Sequence, residues 1–126
     1  MEGFNKDFDG FVKIAEQNFE SYSLLMKGNK RNAAVTRLYY ASFQLLYRRL
    51  YLDGQICGKL QDVHKQVIDL ANYRRLIKPE QRKMLRELKD LRVKADYDGF
   101  ELTREECYSP VANGEKLYAE LKSSCI

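Results

Sequence analysis

The residues with chemical potential gather in three short stretches of the sequence. In DLRVKADYDGF, Asp90 to Phe100, Arg92 is followed by Asp96 at i+4 and Tyr97 at i+5. In RNAAVTRLYYASFQLL, Arg31 to Leu46, Arg37 stands three residues from both Ala34 and Tyr40 and four from Ala41. LQDVHKQV carries His64, the only histidine of the chain. A guanidinium keeps its proton, so an arginine beside an apolar seam is costly unless a carboxylate or an anionic ligand neutralises it. Two outcomes are open for Arg92 and Arg37. Either Asp96 neutralises them, as an i,i+4 partner of Arg92 and by a reach from Arg37 across the fold, or arginine, aspartate and tyrosine line a cleft that holds a phosphate. Histidine is the side chain that ordinarily titrates near neutrality, so any general acid–base step falls first to His64. Tyrosine is a poor base at neutral pH but can donate a hydrogen bond or stack on a nucleobase, a role open to Tyr40 and Tyr97.

The elements that must position these groups read as helices throughout. Phe4, Phe8, Phe11, Val12, Ala15, Phe19, Tyr22 and Met26 recur at three- and four-residue steps, giving a first helix that ends near Lys27 at a Gly-Asn stop. A second helix is expected from about Arg31 to Asp53, with Ala34, Leu38, Ala41, Leu45 and Leu52 on one face. A third spans roughly Leu60 to Tyr73 through Val63, Val67 and Leu70. Pro79 fits the first position of a fourth, whose seam is Leu85, Leu88, Leu91 and Ala95 and which stops near Gly99. Thr103 with Glu106 reads as a capping box, with Leu102 and Cys107 as its hydrophobic staple. The fifth helix continues through Val111, Gly114, Leu117 and Leu121; Pro110 should kink it, unless Ser109-Pro110 is its true start. No alternating period-two run occurs, so the expected fold is all-α, an antiparallel up-and-down bundle of about five helices.

Bulk properties narrow the classes. At 126 residues with 44% apolar, residues 1–126 are expected to form one domain, without linkers or repeats. No run approaches the roughly 20 apolar residues that span a bilayer, and the N-terminal residues do not read as an export signal. Cys57, Cys107 and Cys125 are odd in number and widely spaced, which suits reduced thiols in a cytoplasm rather than a metal cluster, and no cofactor motif is present. Between Asn72 and Lys94 nine basic residues face three acidic ones, a segment charge of +6 in a chain whose total is +4. Such a band either attracts phosphates or is a solvated helix face.

Together, RNAAVTRLYYASFQLL, DVHKQVIDL and LKDLRVKADYDGF resemble, in order and spacing, the signature blocks of the HEPN superfamily (higher eukaryotes and prokaryotes nucleotide-binding), in its small single-domain prokaryotic branch. The resemblance covers about residues 5–123. It implies a helical bundle, commonly a homodimer, that binds RNA or a nucleotide. Many members are metal-independent ribonucleases, often toxins encoded beside a nucleotidyltransferase antitoxin; the alternative is a non-catalytic partner or regulatory subunit of such an enzyme. The family's catalytic signature, an arginine, four to six intervening residues and then a histidine, is matched by Arg92, but the position after four intervening residues holds Tyr97. The resemblance therefore implies Arg92 as catalytic, with His64 standing in for the missing histidine. It implies Arg37, Tyr40, Asp96 and Tyr97 as phosphate- or nucleotide-binding, and leaves Tyr97 or Tyr40 open as an acceptor modified by the partner enzyme.

Overall fold

In the computed structural model, which describes residues 8–55 and 63–125, five helices follow one another: α1 (Phe8–Lys27), α2 (Arg31–Leu52), α3 (Val63–Tyr73), α4 (Pro79–Tyr97) and α5 (Arg104–Cys125). They form an all-α bundle, with no strand among the described residues. Each matches a helix read from the periodicity. The expected starts near Phe4 and Leu60, the side chains of Phe4 and Phe8, and Cys57 lie outside the described residues.

α2 is the central helix and packs on all four others. Ten of its residues are buried, and at about 100° per residue they sweep an arc of roughly 200°, far wider than the stripe of a surface helix. Ala34, Ala41 and Ser42 contribute little bulk to that arc, so neighbouring backbones approach closely. Leu52, expected in this core, is instead 46% exposed: it is the final residue of α2, and the buried face ends two residues earlier at Leu50. Gly114 makes the corresponding allowance on α5. A Cβ there would lie 2.7 Å from Cδ2 of Leu38 and 3.2 Å from Cδ2 of Leu88, so α5 seats against α2 and α4 only because position 114 has no side chain.

Local chemistry sets the helix ends. Asn29 adopts a left-handed conformation (φ 59°), which lets Lys30 N–H reach the Leu25 carbonyl (2.8 Å) and Asn29 N–H the Met26 carbonyl (3.0 Å), closing α1. Pro79 opens α4, where Gln81 Oε1 accepts the N–H of Lys78 at 2.8 Å. At α5, Thr103 Oγ1 accepts the N–H of Glu106 (3.1 Å) and Glu106 Oε1 that of Thr103 (2.9 Å), while Leu102 and Cys107 are buried beside them. This capping box starts the helix before Pro110 is reached. α5 accordingly runs through Pro110 without a break, and the Ser109-Pro110 start is not used.

Candidate functional site

Asn32, Thr36, Tyr39, Tyr40 and Phe43 lie at three- and four-residue steps and form one stripe of α2. Its first half meets the end of α4. The Asn32 amide nitrogen donates to the carbonyls of Ala95 (2.9 Å) and Phe100 (2.8 Å), and its oxygen accepts the N–H of Leu102 (2.8 Å). Carbonyls in the last turn of a helix lack intrahelical partners, so this single side chain closes α4 and sets the path into α5. One turn further along α2, Thr36 Oγ1 donates to Asp96 Oδ1 at 2.7 Å, and Arg92 Nη1 donates to Asp96 Oδ2 at 3.2 Å. Both oxygens of Asp96 are thereby oriented.

Arg92 is buried, only 8% exposed, on the core-facing side of α4. Its guanidinium carbon sits 5.5 Å from the ring centroids of both Tyr39 and Tyr40, within cation–π range. Burial works against its charge, but Tyr40, Asp96 and Tyr39 more than offset that, and its pKa lies above the ordinary arginine value. Arg92 Nε is buried without a hydrogen-bond partner. A charged donor of this kind is normally satisfied by a protein group or a ligand.

His64 stands at the start of α3 against the same aromatic cluster, with ring centroids 4.5 Å from Phe43, 5.6 Å from Tyr39 and 5.7 Å from Tyr40. Its Nδ1 lies 2.9 Å from the hydroxyl of Tyr39. Tyr39 is completely buried, and burial pushes its pKa well above the ordinary tyrosine value, so the phenol keeps its proton and needs an acceptor. Nδ1 is the acceptor within reach, and an Nδ1 that accepts leaves the ring proton on Nε2.

Of the residues singled out in the sequence, Arg92, Asp96, Tyr40 and His64 are thus gathered around Tyr39. Arg37 is not. It lies off the stripe, exposed, and donates from Nη1 to Asn18 Oδ1 of α1 at 3.1 Å. The expected reach to Asp96 is not made, because Arg37 projects from the side of α2 that meets α1, while Thr36 and Arg92 are the groups that donate to Asp96. Tyr97 is 74% exposed and, five residues on, lies about 140° round α4 from Arg92. Within the basic band, Arg82 pairs with Asp69 (3.3 Å), Lys94 with Glu106, and Arg92 with Asp96. Lys83 and Arg86 are exposed on the outer side of α4. Asn32, Thr36, Tyr39 and Phe43 carry much of the site and were not singled out by type. Their common signal was the three-and-four spacing of polar and aromatic residues along a helix that is otherwise core.

The chain belongs to the HEPN domain family, whose model matches residues 9–124. No curated protein matches the chain. Among the described residues, no helix is long and apolar enough to cross a membrane.

Proposed function

We propose that this HEPN protein binds RNA or a nucleotide through a phosphate held at Arg92. The observation that carries this reading is the buried guanidinium with one carboxylate partner and an unsatisfied Nε. Asp96 orients Arg92 and Thr36 orients Asp96; Tyr39 and Tyr40 flank the guanidinium and supply rings. His64 packs against the same two rings and brings the imidazole to this cluster. The exposed Lys83 and Arg86 add positive charge on the outer side of α4. Metal-independent cleavage of RNA at this site requires a base for the ribose 2′-OH and a donor for the departing 5′-oxygen, and His64 is the group available for proton transfer.

The test measures RNA binding and metal-free RNA cleavage by wild type, Arg92→Ala and His64→Ala, each checked for helicity. Binding about tenfold or more weaker in a folded Arg92→Ala supports the reading. Equal binding by that variant overturns it. Cleavage lost in both variants assigns a ribonuclease, the activity of a toxin in a toxin–antitoxin pair acting in the cytoplasm.

A second reading, a non-catalytic homodimeric partner of a nucleotidyltransferase, is favoured by Tyr97. It occupies the family's histidine position, and its exposed side chain is accessible to a partner enzyme. Co-incubation with the neighbouring nucleotidyltransferase and nucleotide would then add mass at Tyr97, and Tyr97→Phe would remove the adduct.

A further inference from the structure

A second site lies where the end of α1, the start of α2 and the first half of α5 meet. A cavity of about 340 Å³ opens there. This volume falls in the lower part of the range of small-molecule sites, about 300–1,000 Å³. Its floor is apolar, made by Met26, Val111 and Ala112, and the ring of Tyr108, 77% exposed, stands beside it. Its rim carries two arginines from two different helix starts, Arg31 of α2 and Arg104 of α5.

Neither arginine is engaged by a carboxylate at ion-pair distance. No ion pair to Arg31 or Arg104 is formed among the described residues. The one acid on the cavity wall, Glu115, accepts a hydrogen bond from Tyr22 of α1, and Glu106 is held by Lys94. Burial raises the pKa of the Cys107 thiol and the charge of Arg31 works against that rise, so Arg31 acts over the cavity floor. α2 adds to the imbalance: its first turn has no acidic residue, and its N-cap Lys30 makes no side-chain capping bond. Two guanidiniums without an ion-pair partner thus line one pocket together with apolar side chains, a combination that suits an anion carrying an apolar body.

We infer that this cavity binds a small organic anion, a flat apolar body carrying one phosphate or carboxylate, with the anionic group between Arg31 and Arg104 and the apolar part against Met26, Val111 and Ala112. This site stands independently of the Arg92 reading and uses none of its residues. Ligand there would bridge Arg31 and Arg104, the neighbours of Asn32 and Thr103, and so brace the joint between α2 and α5.

The experiment titrates phenyl phosphate and benzoate into the isotope-labelled full chain and follows backbone amide shifts, with phenol and inorganic phosphate as partial ligands. Saturable shifts at Asn29, Arg31, Cys107 and Ala112 are expected, and the tighter of the two anions identifies the preferred head group. Affinity should fall about tenfold in Arg31→Gln and in Arg104→Gln, and Ala112→Trp, which fills the cavity from its exposed side, should abolish binding. Arg92→Gln should leave it unchanged, so failure here is separable from failure of the RNA site. Absence of saturable shifts, undiminished affinity in both rim variants, or inorganic phosphate binding as tightly as phenyl phosphate would overturn the inference.

Discussion

The hydroxyl of Tyr39, the most buried tyrosine of α2, lies 2.9 Å from Nδ1 of the only histidine, His64, and with the phenol as donor that contact favours the Nε2–H tautomer. Tyr39→Phe keeps the ring packing and removes the donor. The nitrogen shifts of the imidazole should then change from a pure Nε2–H form to a mixture of both tautomers. Stability should fall by about 1 kcal/mol, the usual net worth of one hydrogen bond. An unchanged tautomer in the variant would show that something other than Tyr39 holds the ring.

Asn32 joins three backbone groups, so its amide cannot be replaced by a carboxylate of the same shape. Asn32→Asp retains an acceptor for Leu102 N–H but turns a second oxygen toward the carbonyls of Ala95 and Phe100. The expected loss is about 1–2 kcal/mol in urea unfolding, at least as large as that of Asn32→Ala, because acceptors then face one another in a half-buried joint. A milder effect for Asp than for Ala would mean that the clamp relaxes around the charge.

Helix number, type and most boundaries were legible because α1 to α5 each carry an apolar stripe, and α1, α4 and α5 also carry a local start or stop signal: Asn29, Pro79 and the Thr103–Glu106 box. Arg92, Asp96, Tyr40 and His64 were legible as polar or titratable residues inside that pattern. What the spacing could not convey was which of two neighbouring arginines turns inward. Arg37 and Arg92 both adjoin small or apolar residues, yet Arg37 sits on the edge of α2 facing α1, where Asn18 satisfies it. Thr36 and Asn32 went unnoticed since a threonine or asparagine within a helix has no distinctive sequence signature. Their importance comes from the carboxylate and carbonyls of α4, which are some sixty residues away in the chain.

Gly114 tests how tightly the bundle is packed. In an open helix Gly→Ala is stabilising by about 1 kcal/mol. Here the added methyl would meet Leu38 and Leu88, and overpacking costs about 1–3 kcal/mol, so Gly114→Ala should be destabilising on balance. In a Leu38→Ala background the same substitution should recover part of the lost stability, because the space it needs has been vacated. Additive losses in that double variant would place the strain elsewhere.

The start of α5 gives the fold a defined acid sensitivity. The Lys94 side chain, and then the Thr103 backbone N–H, hold the Glu106 carboxyl down from the ordinary 4.5 to about 2. A carboxylate whose folded pKa is depressed contributes stability above its unfolded pKa and loses that contribution as pH falls through the folded value. The melting temperature of Glu106→Gln should therefore lie below that of wild type at neutral pH, and the gap should narrow between pH 4.5 and 2. A gap independent of pH would show that the Gln side chain disturbs the capping box itself.

Arg92→Met separates function from stability most sharply. Methionine fills a similar volume without a charge, and replacing a buried ion pair by packed apolar atoms is often neutral or stabilising by about 1–4 kcal/mol. Asp96 keeps its bond from Thr36 and is partly solvated, so its carboxylate is not stranded. If Arg92 is retained for an anion, the variant should be as stable as wild type or more so, while RNA binding falls about tenfold and its salt dependence becomes shallower by the loss of one phosphate contact. A purely architectural arginine would behave in the opposite way, with unfolding shifted to lower urea and RNA affinity untouched.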